Sequence, residues 1–181
     1  MEIYYGRCPR IGGNDQTMGI FQVTLILATL LCSLVAGFLF AFSIVVMPGL
    51  RRLADGEFIR AFQKMDGVIQ NNQPLFMLVW IGSVVALIIS AMLGIGQLGG
   101  IERSLLIFAA LAYLLGVQLP TVTINVPLNN QLQTLDADAL DEEEQKNARE
   151  DFEPRWNRWN AIRAALSSLV SALLIILLFK L

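Results

Sequence analysis

No charged residue occurs from Gln16 to Leu50, from Gly67 to Ile101 or from Ser104 to Leu135, and a shorter uncharged run, Ala164 to Phe179, follows a segment rich in Arg and Trp. A helix needs roughly 20 mostly apolar residues to cross about 30 Å of hydrocarbon, where the backbone must satisfy its own N–H and C=O groups. Four such stretches predict an all-α protein, a four-helix transmembrane bundle with spans at about residues 18–47, 75–95, 104–124 and 159–179. At 181 residues and 55% apolar content, the chain has material for one small bundle. It reads as an N-terminal tail, residues 1–17, and a single membrane domain, residues 18–181.

The tail carries Arg7 and Arg10 ahead of an apolar stretch, as a secretory signal does. That stretch runs from about Met18 to Met47, far longer than a signal's apolar region, and is expected to stay as the first span. Pro48 and Gly49 are expected to stop it, with Arg51 and Arg52 at the interface. Phe58, Phe62, Met65 and Ile69 then fall on one helical stripe, which predicts an amphipathic helix in the first long loop. The short connection from Gly96 to Arg103 makes spans two and three antiparallel neighbours. In the second long loop, Asp141 and Glu144 have capping-box spacing and open a helix bearing Ala148 and Phe152, after which Pro154 is expected to start a separate last helix.

An even number of spans places both long loops on one membrane face. That face carries nine of the Lys and Arg residues against four opposite, so the positive-inside rule predicts cytoplasmic loops.

Several functional classes fall away. Histidine is absent and the two cysteines, Cys8 and Cys32, are far apart, so His-ligated haem, iron, copper and zinc sites have no ligands, and neither a metal nor a cofactor is expected. A thiol relay lacks paired cysteines. The net charge of -2 comes with no basic tract, which argues against nucleic acid. A transporter would be expected to show an internal repeat or a charge inside a span. The acids Asp136, Asp138, Asp141 and Glu142 to Glu144 suit a helix start better than a calcium loop.

The polar residues that remain gather at the loop side. The uncharged part of span four has only 16 residues, about 24 Å of helix, so the span draws Arg163 toward the apolar layer. Trp156, Trp159 and Asn160 precede Arg163 by seven, four and three residues and can share its face. Asn125 and Asn129 are four apart at the end of span three and share a face if the helix continues. One reading makes the indoles an interfacial belt, Arg163 a snorkelling side chain and Asn125 a helix cap. The other turns all of them inward to line a polar pocket, with Gln73 as a further contributor or simply the cap of span two. Asp66, Asp151 and Glu153 read as surface carboxylates, and none stands out as a general base.

Met47-Pro48-Gly49-Leu50, Asn125-Val126-Pro127-Leu128-Asn129, and Phe152 followed by Arg155-Trp156-Asn157-Arg158-Trp159-Asn160 and Arg163 occur in order at successive membrane boundaries. In these motifs, and over nearly the whole chain from about Met18, the sequence resembles the anthrone oxygenase family of small four-span membrane proteins. The resemblance implies oxidation of an anthrone to an anthraquinone with molecular oxygen, as in fungal polyketide pathways. On that reading Asn125, Asn129, Asn160 and Arg163 stabilise an oxyanion, Trp156 and Trp159 stack on the rings, and Gln73 adds a polar contact. The expected partners are membrane lipids and a hydrophobic small molecule. A non-catalytic membrane binding or assembly protein is the alternative.

Overall fold

The computed structural model describes residues 13–181, with side chains from residue 19 onward. Most of the expected tail, including Arg7, Cys8 and Arg10, lies outside the described residues.

Among the described residues the protein is all-helical, and four helices are long and apolar enough to cross a bilayer. The first is α1 (Gly13–Ala41), which continues through a π-helical turn, Phe42–Val46, into a short α2 (Met47–Leu50). After a turn comes α3 (Asp55–Gln70), then the second span, α4 (Pro74–Gln97). The third is assembled from α5 (Gly100–Tyr113), two π-helical segments, Leu114–Gln118 and Thr121–Asn125, and α6 (Val126–Gln133). The fourth, α7 (Glu142–Lys180), runs well past the membrane on the loop side.

Each π segment ends two residues before a proline: Pro48, Pro120 and Pro127. Proline has no N–H, and in an ordinary α-turn its ring meets the carbonyl four residues back. In these wider turns the residue before the proline donates five residues back, Met47 to Phe42, Leu119 to Leu114 and Val126 to Thr121. The backbone stays paired inside the bilayer and the helix goes on. Hence the first helix passes Pro48 and ends at Leu50, within the Met47–Leu50 stretch where the sequence places its end, and the third runs on past Ile124 to Gln133 and carries Asn125 and Asn129 on a continuous rod.

Pro154 likewise starts no new helix; it sits inside α7. It is exposed, as is Glu150, whose carbonyl loses its partner four residues on and can turn to water. On the opposite side Phe152 and Trp156 pack tightly on α3, with Phe152 at 4.7 Å and Trp156 at 5.5 Å from the Phe62 ring. Contacts on both sides of the proline hold one rod together where local propensity predicts two.

Two cores result. Within the membrane Phe21, Leu25, Val35, Leu87, Leu106, Val170 and Leu174 pack between helices, and small residues such as Ala28, Ala86 and Ala109 let the backbones approach. Buried serines close on their own helices, Ser90 to the Ala86 carbonyl at 2.8 Å and Ser171 to that of Ser167 at 3.0 Å. At the loop end Phe58, Ile59, Phe62, Leu128, Leu132, Phe152 and Trp156 form the second core, in which the predicted amphipathic α3 lies across the bundle as a roof. Arg149 locks the roof's start, donating to the Leu53 and Arg51 carbonyls and to Asp55, each at 2.9 Å. Its guanidinium stands 4.5 Å over the Phe58 ring.

Candidate functional site

Under the roof, at the loop-side end of the spans, lies a cavity of about 330 Å³. Its apolar walls are aromatic: Phe38 and Phe42 from span one, the stacked Phe76 and Trp80 of α4 at 5.3 Å, and Trp156 of α7. The polar groups come from three helical elements and from Asn72 in the turn between α3 and α4. Span three supplies Thr121, Asn125, Asn129 and Asn130; α7 supplies Asn160 and Arg163; α3 supplies Asp66 and Gln70.

The sequence produces this convergence by simple spacing. Trp156, Asn160 and Arg163 are related by four and three residues along α7, and Thr121, Asn125 and Asn129 by four and four along span three. The π turn Thr121–Asn125 keeps the second series turned toward α7, with the Asn125 side-chain amide donating to the Trp156 carbonyl at 3.4 Å.

Arg163 is 3% exposed. It donates to Thr121 Oγ1 at 2.9 Å and to Asn160 Oδ1 at 3.0 Å. Asn160, 1% exposed, in turn donates to the Leu39 carbonyl at 3.1 Å and to Ser43 Oγ at 2.8 Å, which anchors the group to span one. Among the described residues Arg163 has no carboxylate partner, and its Nε is buried without an acceptor. Asn125 Oδ1 is likewise a buried acceptor without a donor, because the other end of the amide is committed to the Trp156 carbonyl. Buried polar atoms are nearly always satisfied, so these two cavity-lining side chains keep a donor and an acceptor that the fold itself does not use.

The roof side carries a second network. Asp66, 5% exposed, is the one carboxylate among the lining residues. Its oxygens accept from Asn129 at 2.7 Å, Gln70 at 2.7 Å and Gln133 at 3.0 Å. A carboxylate can only accept, so it fixes the Asn129 amide with its nitrogen toward Asp66 and its oxygen toward the Trp156 indole, which donates at 2.7 Å. The indole is thus held from the roof, and the Arg163 guanidinium lies 6.0 Å from its ring centre. Among the described residues no three acidic or cysteine side chains converge on a point.

Of the residues singled out by sequence, the structure brings Asn125, Asn129, Trp156, Asn160 and Arg163 together. It does not bring Trp159 or Gln73. Trp159 precedes Asn160 by one residue, about 100° around the helix, and is half-buried off the cavity wall. Gln73 caps α4, its side-chain oxygen accepting from the Phe76 N–H. Gln73→Ala is therefore expected to cost about 1 kcal/mol of stability, and Trp159→Phe to change little. Neither should alter ligand affinity more than twofold in a fluorescence titration. Sequence reading took Asp66 for a surface carboxylate, which its 5% exposure corrects, and passed over Thr121 and Trp80. Asp66 and Thr121 were visible as polar residues four positions from Phe62 and from Asn125 on faces already marked, whereas Trp80 had no such neighbour.

Residues 69–174, more than half of the chain, match the family described as anthrone oxygenase. No curated protein and no solved structure matches.

Proposed function

The chain belongs to the anthrone oxygenase family, and from that premise we propose that its cavity binds a flat, hydroxyl-bearing aromatic ketone of the anthrone type and oxidises it with dioxygen. One observation carries the proposal: a buried guanidinium with no carboxylate partner among the described residues, and an amide oxygen with no donor, belong to side chains that line one aromatic-walled cavity. A ring oxygen that is a hydroxyl in one tautomer and an anion after ionisation suits both groups. It donates to Asn125 Oδ1 as the hydroxyl and is held by Arg163 as negative charge develops.

The reaction balances as anthrone plus O2 giving anthraquinone plus water. Loss of a proton from the ring methylene leaves a delocalised anion whose charge rests largely on the ketone oxygen. Electrons pass from this anion to O2 and a C–O bond forms. Proton uptake gives a hydroperoxide, which loses the second methylene hydrogen as a proton while the O–O bond breaks and water departs. The protein's share is orientation between Trp156 and the Phe76–Trp80 stack, exclusion of water, and stabilisation of the oxyanion by Arg163, with Asn160 and Thr121 holding the guanidinium in place. Asp66 is the candidate proton acceptor on the wall.

Protein reconstituted in nanodiscs and stripped of metal is expected to consume one O2 for each quinone formed from a panel of anthrones, followed by an oxygen electrode and quinone absorbance. Binding without oxygen uptake across the panel would instead support the non-catalytic alternative.

A further inference from the structure

The cavity's wall between spans two and three is not laced by side-chain bonds as its roof is, and the geometry points to a lateral portal between those spans that admits the ligand from the bilayer. The roof is tied down by hydrogen bonds between α3 and the end of span three. Gln63 donates to the Leu132 and Leu135 carbonyls at 2.7 and 2.9 Å, Gln133 donates back to the Gln63 carbonyl at 3.0 Å, and Gln70 reaches Asn130 at 3.2 Å. Arg60 and Asp138 add an ion pair at 2.7 Å. Of these residues Gln70 and Asn130 line the cavity, as Asp66 does, and the others tie the rest of α3 to the end of span three and the loop after it.

The side wall is different. The Trp80 indole donates to Gln118 Oε1 at 2.9 Å, which ties α4 to span three below the cavity. Loopward of that bond, no side-chain hydrogen bond or ion pair joins α4 to span three among the described residues; α4 leans on span one instead, with the Phe76 ring 5.3 Å from Phe38. The rims of the gap are Phe76 and Met77 on one side and Val122 and Val126 on the other, and all four line the cavity. Val122 is 61% exposed and Val126 40% exposed. Valines that face outward at the level of the apolar layer while also lining an internal cavity describe an opening toward acyl chains rather than water. No backbone pairing has to break for a flat molecule to slide between the two helices, whereas passage through the roof requires parting α3 from α6.

The ligand is therefore a compound dissolved in the loop-side leaflet, presented edge-on so that its oxygen reaches Arg163 and its rings stay among the aromatic side chains. This rests on the reading of the cavity as a ligand site but not on turnover, so the test reads binding.

The experiment uses the full chain in nanodiscs, with Cys8→Ser, and follows association of 1,8-dihydroxyanthrone by quenching of tryptophan fluorescence under anaerobic conditions. Val122→Trp with Val126→Trp, which plugs the gap, is expected to slow association at least tenfold. Arg60→Cys with Asp138→Cys, joined by a short bismaleimide to staple the roof, is expected to leave it within twofold. Slowing by the staple, or no slowing by the plug, overturns the portal. A second measurement needs no anthrone and keeps the question open to refutation if the plugged variant folds poorly. With Trp80 and Trp159 replaced by Phe, the buried Trp156 should be quenched by lipids brominated near the headgroup end of the acyl chain and not by a water-soluble quencher. The reverse pattern contradicts lateral access, whatever the protein does to anthrones.

Discussion

Arg163→Met is expected to lower kcat for anthrone oxidation by about 10²–10³-fold, the usual cost of deleting an oxyanion donor, while the protein stays folded. The second half of that expectation follows from the unpaired charge. Removing one partner of a buried ion pair strands the other at a cost of about 3–5 kcal/mol, but Arg163 has no ionic partner among the described residues to strand. Its loss leaves Asn160 Oδ1 without a donor, a penalty of about 1–3 kcal/mol, against which stands relief from burying a cation. Thr121 keeps its own bond to the Val117 carbonyl at 2.7 Å. Net stability should shift by less than about 2 kcal/mol, and Arg163→Lys, which retains charge without the planar fork, should recover only part of the rate. Steady-state kinetics beside thermal unfolding in nanodiscs checks both. An active Arg163→Met protein removes the oxyanion role, and an unfolded one makes Arg163 a structural tie instead.

Asp66 is expected to give the other large effect, and two substitutions separate its roles. Asp66→Leu removes the acceptor of the Asn129 amide and one of the two acceptors of Gln70 and of Gln133, which keep Asn130 Oδ1 and the Gln63 carbonyl; an amide donor left unpaired costs about 1–3 kcal/mol when fully buried. A loss of about 1–3 kcal/mol is expected, with the Trp156 indole released from its fixed orientation. Asp66→Asn keeps the volume and one acceptor oxygen. If the carboxylate accepts the substrate proton, this variant stays nearly as stable yet loses about 10²-fold or more in kcat, the usual weight of a general base. If Asp66 only holds Asn129 and Trp156, kcat changes little while KM rises. The split between kcat and KM in Asp66→Asn decides the matter.

What could be read from the sequence was set by the kind of physics involved. Hydrocarbon thickness and backbone pairing act on every residue of a span, so four helices and the amphipathic α3 follow from composition and period alone. Pro48 and Pro154 were misread because proline's effect is local while the outcome is tertiary. Pro48, Pro120 and Pro127 are absorbed by π turns, and Pro154 by packing of Phe152 and Trp156 on α3, none of which a propensity scale contains.

The candidate site was partly visible for the same reason. Asn125, Asn129, Trp156, Asn160 and Arg163 are costly residues near hydrocarbon, and cost is legible. Trp159 is separated from that group by a turn angle that broad matching of three- and four-residue spacings does not resolve. Asp66 sat among charged loop residues, and only the docking of α3 onto α6 shows it to be buried.

The most direct measurement is an experimental structure of the protein in nanodiscs with 1,8-dihydroxyanthrone held under anaerobic conditions. The account predicts the ring system between Trp156 and the Phe76–Trp80 pair, with one ring oxygen in hydrogen-bond reach of both Arg163 Nε and Asn125 Oδ1. Density for the ligand elsewhere, or an Arg163 side chain turned outward to lipid headgroups with the cavity collapsed, contradicts it.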